Sequence, residues 1–95
     1  MEPTDVQHDP EGRRFFLRTE NGLAYLDYER VNGNKLDYKS TFVPAEDRHR
    51  GIAGRIVERA FEYASDHDLL VIPSCSYVRD WVEKNPRVAG MVAEG

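Results

Sequence analysis

Up to Val43 the chain alternates between apolar and polar positions; beyond Gly51 it no longer does. Arg13–Thr19, Leu23–Val31 and Lys35–Val43 are strand candidates, and the last two largely alternate apolar with polar side chains, the period of a strand with one buried face. Ala24, Leu26 and Tyr28 share a face of the second stretch, and in the third Leu36, Tyr38 and Phe42 oppose Asp37, Lys39 and Thr41. Asn21-Gly22 and Asn32-Gly33-Asn34 separate the stretches, and Asn-Gly favours the positive φ of tight hairpins. The pattern predicts an antiparallel three-stranded meander in a fixed register.

From about Arg50 to His67 the period turns helical. Ile52, Ala53, Ile56, Val57, Ala60, Phe61 and Ala64 form one apolar stripe, and Arg55, Glu58, Arg59 and Glu62 make a solvated opposite side. Leu69-Leu70-Val71-Ile72 is too short for a helix and rich in β-formers, which predicts a buried strand. A strand, helix and returning strand of this kind pair in parallel through a right-handed crossover. Val78, Trp81 and Val82 predict a second helix, with Ser74 or Ser76 as N-cap and Asn85-Pro86 as its stop. Val88, Met91 and Val92 add one or two short helical turns. The fold class is α+β: a three-stranded antiparallel meander, a main helix, a parallel fourth strand and short C-terminal helices.

Size and composition narrow this further. Ninety-five residues make one domain, with residues 13–95 as its body. Residues 1–12 are polar, carry Pro3, Pro10 and Gly12, show no period, and are expected to form a flexible lead-in with His8 incidental on its surface. A chain this short buries only about 60–65% of the surface it exposes unfolded, so its sheet needs an economical cover. The net charge of −4 disfavours nucleic acid as a partner. No apolar run approaches the ~20 residues of a membrane span, and the N-terminus lacks the regions of a signal peptide. A single cysteine excludes an internal disulfide and a cysteine-based zinc cluster. The cytoplasm is the expected compartment.

The junction between the two periodic regimes carries the first candidate chemistry. Val43-Pro44-Ala45-Glu46-Asp47-Arg48-His49-Arg50-Gly51-Ile52-Ala53 is a basic, glycine-containing turn that runs into a helix N-terminus. The first N–H groups of a helix have no intrahelical acceptor and the helix dipole is positive there, so such a turn is suited to an anion. Arg48-x-x-Gly51-x-Ala53 has the form Arg/Gln-x-x-Gly-x-Gly/Ala, whose small residues let backbone approach a phosphate. By itself this pattern is also that of an ordinary helix start. It is neither a P-loop nor a dinucleotide fingerprint.

The second candidate is Pro73-Ser74-Cys75-Ser76-Tyr77-Val78. Cys75 falls between a buried strand and a helix start, where a helix N-terminus favours the thiolate. A nucleophile, a proton donor or acceptor, and inert packing are all open for it. Tyr77 is either a packing aromatic or a phenol able to protonate a departing thiolate.

Taken together, Val43-Pro44, Arg48-x-Arg50-Gly51-Ile52-Ala53 and Val71-Ile72-Pro73-Ser74-Cys75-Ser76-Tyr77-Val78 resemble the small, single-domain, YjdJ-type branch of the GCN5-related N-acetyltransferases. The resemblance runs from about residue 14 to about residue 87, and two motifs in the right order at matching distance are far more specific than either alone. It implies an acetyl-coenzyme A-dependent transfer of an acetyl group to a primary amine. It also implies that backbone amides of the turn formed by Arg48, His49, Arg50, Gly51, Ile52 and Ala53 hold the pyrophosphate. The pantetheine would lie beside Thr41, Phe42 and Val43, with the acetyl group near Ile72 to Cys75. Cys75 matches a cysteine considered catalytic in this branch, and Tyr77 is a candidate general acid by its chemistry alone. No metal is implied.

Three positions depart from the branch. His49 stands where a glycine is frequent, Ser40 where a histidine precedes the threonine, and Asn85-Pro86 where His-Pro is usual. Each of the last two removes a titratable group, so a base role does not carry over. Glu46, Asp47 and water are the base candidates left, and the same two carboxylates are candidates for steering a cationic amine. The alternative function is a coenzyme A- or acyl-CoA-binding or protein-interaction module with little catalytic activity.

Overall fold

The computed structural model describes residues 6–48 and 50–93. Five strands form one sheet in the order β1-β2-β3-β4-β5: β1 Gln7–Asp9, β2 Arg14–Thr19, β3 Gly22–Val31, β4 Lys35–Phe42 and β5 Leu70–Ile72. The first four run antiparallel, and β5 returns parallel to β4 after helix α1, Ile52–Asp66. Helix α2, Ser76–Lys84, and a 3-10 stretch, Pro86–Met91, complete the order. Among the described residues no helix is long and apolar enough to cross a membrane.

The meander and the parallel return are those the periodicities predict. The β3–β4 hairpin closes through the three-residue loop Asn32-Gly33-Asn34, in which Asn32 and Gly33 both take positive φ, 55° and 78°, a region that Asn and Gly tolerate best. The core is one cluster between the sheet and α1. Phe15, Leu17, Ala24, Leu26, Tyr28, Leu36, Tyr38 and Val71 come from the sheet, and Ile52, Ile56, Val57, Ala60, Phe61 and Ala64 from the stripe on α1. Tyr38 is completely buried, and its hydroxyl donates to the Ala60 carbonyl at 2.6 Å, tying sheet to helix. Helix α2 packs against α1 and β4, with Trp81 stacked on Phe61 at 5.3 Å.

Five expectations are corrected. Gln7–Asp9 is not loose lead-in but an edge strand paired to β2 from Gln7↔Phe16 to Asp9↔Arg14. His8 on it is no incidental surface group: it is half-buried, stacks on Phe15 at 4.2 Å, and its Nε2 lies 2.6 Å from the Tyr28 hydroxyl. Burial pushes the Tyr28 phenol up and, together with Arg59 and His67, pushes His8 down, against a raising effect of Asp9. A neutral imidazole therefore accepts from the phenol. The N-cap of α2 is Cys75, not a serine, and no side chain caps that end. Val92 is not helical; it bridges in parallel to Val71, and the Ala93 N–H donates to the Val71 carbonyl at 2.7 Å.

The fifth correction bears on the site. Tyr28 pairs with Tyr38 but Asp27 pairs with Ser40, so Lys39 is an extra residue in β4. Such a bulge adds local twist and shifts the alternation by one. Beyond it Phe42 leaves the core face, stacks on Tyr25 at 5.5 Å on the sheet's other face and stays 42% exposed, while Thr41 turns inward toward the helices.

Candidate functional site

Strand β5 pairs with β4 only from Lys35↔Leu70 to Asp37↔Ile72. Past Asp37 the two chains part, with one hydrogen bond at the fork, Cys75 N–H to the Tyr38 carbonyl at 3.0 Å. Among the described residues no strand pairs with the rest of β4 on that side, so its edge from Tyr38 to Phe42 faces the start of α2. The bulge at Lys39 and the short β5 together open this fork. Across it Thr41 Oγ1 and Cys75 Sγ are 3.7 Å apart.

A cleft of about 320 Å³ continues from the fork to the N-terminus of α1, lined by Thr41, Phe42, Val43, Arg48, Ala53 and Tyr77. Gly51 is the N-cap, at φ 74°, a left-handed conformation that a side chain rarely adopts, and a Cβ there would meet nothing within 4 Å. No side chain caps this end, so the N–H groups of Ile52, Ala53 and Gly54 have no intrahelical acceptor. A Cβ on Gly54 would lie 3.5 Å from the Tyr77 hydroxyl and 3.8 Å from Trp81 Nε1, which shows how closely α2 approaches the first turn of α1. Burial pushes the Tyr77 phenol up, so it stays protonated at neutral pH.

The turn between β4 and α1 is held by a carboxylate that sequence reasoning misjudged. Asp47, a candidate base and steering group, has no exposed surface. Its Oδ2 accepts from Thr19 Oγ1 at 2.6 Å, and its Oδ1 accepts from Asn21 Nδ2 at 3.1 Å and Arg50 Nη1 at 3.1 Å. The Thr19 bond foremost, with those from Asn21 and Arg50, holds its carboxyl below the usual range against an opposing desolvation. Asp47 is therefore a pin joining the turn to the β2–β3 hairpin, and neither a base nor a steering group. Arg48 Nε donates to the Val43 carbonyl at 3.1 Å, so both arginines of the turn also brace it. Thr19 and Asn21 carried no sequence signal for this role, because the contact joins residues far apart in the chain.

Of the site residues expected from the sequence, Thr41, Phe42, Val43, Arg48, Ala53 and Tyr77 line one cleft. Gly51 and Ile52 form its helix start, and Cys75 stands at its fork beside Thr41. Arg50 points instead to Asp47 and to a neighbouring cleft on the β2 side. His49 lies outside the described residues. The exposed Glu46 does not line the cleft. Donor N–H groups at an uncapped helix start, a glycine with open space on its Cβ side and an unpaired strand edge suit a ligand with a phosphate group and an extended arm. Among the described residues no cluster of histidine, cysteine and carboxylate is placed to hold a metal ion.

Comparison with known proteins agrees with this geometry. Residues 14–91 match the family model of the GCN5-related N-acetyltransferases. The chain is 36% identical over 87 residues to Protein NATD1 of Gallus gallus, covering 88% of this chain and 78% of that one. It is equally identical over 87 residues to Protein NATD1 of Homo sapiens, at 88% and 76% coverage. The solution NMR structure of a GCN5-like protein from Staphylococcus aureus superposes with a TM-score of 0.77 at 22% identity, over 100% of this chain and 93% of that one, a likeness of fold. With the family model spanning most of the chain and the fork, turn and helix start in place, this protein belongs to the GCN5-related N-acetyltransferase family.

Proposed function

We propose that the protein transfers an acetyl group from acetyl-coenzyme A to a primary amine, as a cytoplasmic enzyme. The observation that carries this reading is the cleft itself. One continuous groove joins the uncapped N-terminus of α1 to the fork where Thr41 meets Cys75. The backbone N–H groups at the start of α1 hold the pyrophosphate, with the helix dipole behind them. The edge of β4 at Thr41 to Val43 pairs with the pantetheine. The thioester then reaches the fork, where the neutral amine attacks its carbonyl carbon. The new C–N bond forms as the C–S bond breaks. Tyr77, protonated at neutral pH, gives its proton to the leaving sulfur, and solvent restores it. The proton of the amine passes to water, since Glu46 does not line the cleft and Asp47 is buried and fully engaged. In the two-step form of the reaction Cys75 takes the acetyl group first and the amine then cleaves the acetyl-cysteine.

One observation favours a second reading, a coenzyme A-binding module without useful turnover. None of the described residues lining the cleft is a carboxylate or an imidazole. A release assay for free coenzyme A against a panel of primary amines, with calorimetry of coenzyme A binding, separates the two. Binding with turnover that exceeds a Cys75→Ala, Tyr77→Phe double variant supports the transferase. Binding with no turnover on any amine leaves the module, and absence of binding removes both.

A further inference from the structure

Strand β1 is a strap on the edge of the sheet, and its fastening is concentrated in one titratable side chain. Gln7 and Asp9 are exposed, so of its three residues only His8 turns toward the core. Before it, Val6 packs partly against the core. After it, the turn closes through Asp9 Oδ1, which accepts from the Gly12 N–H at 3.1 Å. Arg13 joins this turn to β2 at φ 55°, a left-handed conformation for a non-glycine residue, and its carbonyl accepts from the Tyr28 N–H at 3.0 Å. The hinge of the strap therefore lies before Arg13, and β2 keeps its own pairing with β3 from Arg14↔Asp27 to Thr19↔Gly22. The seat of His8 gathers groups from every element around it. Phe15 of β2 stacks on the ring, Tyr28 of β3 lies at its Nε2, and Tyr63 and Arg59 come from α1, with His67 at the C-cap of that helix. His8 and His67, two of the three histidines of the chain, both lie against the Tyr63 ring, at 4.4 and 4.1 Å between ring centres.

We propose that β1 is a proton-sensitive strap: protonation of His8 empties its seat, lifts residues 6–9 off the sheet and bares the outer edge of β2 while the rest of the fold stays intact. A neutral ring accepts from the Tyr28 hydroxyl at 2.6 Å and stacks flat on Phe15 at 4.2 Å. A charged ring has no acceptor nitrogen left, and its charge is drawn half out of water. Burial foremost, then Arg59, with His67 adding to it, disfavours that charge in the closed strap. Asp9, the carboxylate that opposes them, rides on the strap itself and already accepts from Gly12. The sign follows from these contacts. Closed β1 prefers the neutral ring and open β1 returns it to its ordinary 6.5, so opening grows as pH falls through 6.5 and levels off below the closed-state value. Once open, β2 presents unpaired backbone groups along Arg14 to Phe16, and the rings of Phe15, Tyr28 and Tyr63 lose their cover. Such an edge is a template for pairing with another chain, and at neutral pH the strap shields it.

Native-state hydrogen exchange of the full chain at pH 7.5 and pH 5.5, corrected for the intrinsic exchange rate at each pH and repeated in low urea, tests this. The amides that bond between β1 and β2 should exchange through an opening that low urea leaves unchanged, the mark of a local event that exposes little surface. That opening should rise about 3- to 10-fold at the lower pH, the range that one proton taken up near 6.5 allows. The amides between β3 and β4 should instead follow global unfolding and its urea dependence. His8→Gln should abolish the rise. If that variant leaves the strap open at both pH values, Arg59→Gln decides, because it removes a charge from the seat and keeps His8: the rise should fall to less than half that of the wild type. Exchange of the β1–β2 amides only through global unfolding overturns the strap. So does an opening that does not change with pH, a rise that survives His8→Gln, or a rise in Arg59→Gln equal to that of the wild type.

Discussion

The two ends of the cleft are built in different ways. At the helix end, the turn is fastened from three directions: Asp47 to Thr19 and Asn21 of the β2–β3 hairpin, Asp47 to Arg50, and Arg48 to the Val43 carbonyl. At the fork, the Cys75 N–H donates to the Tyr38 carbonyl and its carbonyl accepts from the Arg79 N–H, both at 3.0 Å, while its side chain is held by partial burial against the core and a 3.7 Å approach to Thr41 Oγ1. The helix end offers backbone donors that must be aimed before a ligand arrives, and a polar network supplies that preorganisation. On the proposed reading the fork admits an acceptor and releases a product, and a Cys75 side chain without a polar anchor like that of Asp47 permits it. Substitutions at the helix end should therefore cost stability and affinity together, whereas those at the fork should cost turnover alone.

Asp47→Ala gives the largest effect. It leaves the Thr19, Asn21 and Arg50 donors without their acceptor in a closed site, and the turn loses its pin. Thermal unfolding should show Tm lower by roughly 10 °C or more, with weaker coenzyme A binding by calorimetry. The acid limb checks the same group. The folded-state pKa of Asp47 lies below its ordinary 3.8, so its stabilisation is fully present above that value and lost as pH falls through the folded pKa. The variant should lack that part of the acid loss. An unchanged Tm in Asp47→Ala would erase the contrast between the ends.

Tyr77→Phe probes the wall of the cleft between the two ends. The residue is 38% exposed and its hydroxyl faces the first turn of α1, so Tm should move little. Turnover should fall by a factor of about 10² or more with the binding constant kept. A change confined to KM for acetyl-coenzyme A would assign the phenol to holding the ligand instead of protonating the thiolate. Cys75→Ala, run beside it, reports on the route. Loss of a trapped acetyl-protein together with turnover supports the two-step form, and retained turnover leaves direct transfer.

Gly51→Ala is smaller and isolates conformation from contact. A Cβ at this position meets nothing, so the cost is the left-handed φ alone, about 1–2 kcal/mol. If the turn relieves that strain by reorienting, the N–H groups of Ile52 and Ala53 turn with it, and affinity should fall by more than stability does. Equal losses would mean that the amides keep their aim.

The strands, the stripe on α1 and the parallel return of β5 were legible because each is a local period closed by a local stop. The cleft-lining residues Thr41, Phe42, Val43, Arg48, Ala53 and Tyr77 were reached through the family resemblance that two motifs carry, not through the period of the chain. What stayed hidden depended on partners distant in the chain. The bulge at Lys39 is defined only against Asp27 and Tyr28 of β3, and it alone carries Phe42 off the core face. Asp47 looked like solvated acid because Thr19 and Asn21 stand on another hairpin. Residues 7–9 have no period of their own, and they become a strand because β2 offers an edge and Phe15 and Tyr28 offer His8 a seat.

That seat supplies the smallest effect and a control on the comparison between the two ends. His8 is half-buried among Phe15, Tyr28 and Tyr63, with Arg59 of α1, His67 at its C-cap and Asp9 of its own strand as the charged or titratable neighbours. Its folded-state pKa lies below 6.5, so the unfolded chain binds the proton first as pH falls. Stability is thus full above 6.5 and declines below it until the folded pKa is passed, because a protonated Nε2 no longer accepts from the Tyr28 hydroxyl. Wild-type Tm should drop by a few degrees between about pH 7 and pH 5. His8→Gln keeps an acceptor for Tyr28 without titrating, and should flatten that slope while leaving coenzyme A affinity at pH 7 unchanged. If the slope survives, another group carries it. If it disappears and coenzyme A binding still weakens in that pH window, the remaining loss belongs to the cleft, separated from the stability of the sheet edge that His8 holds.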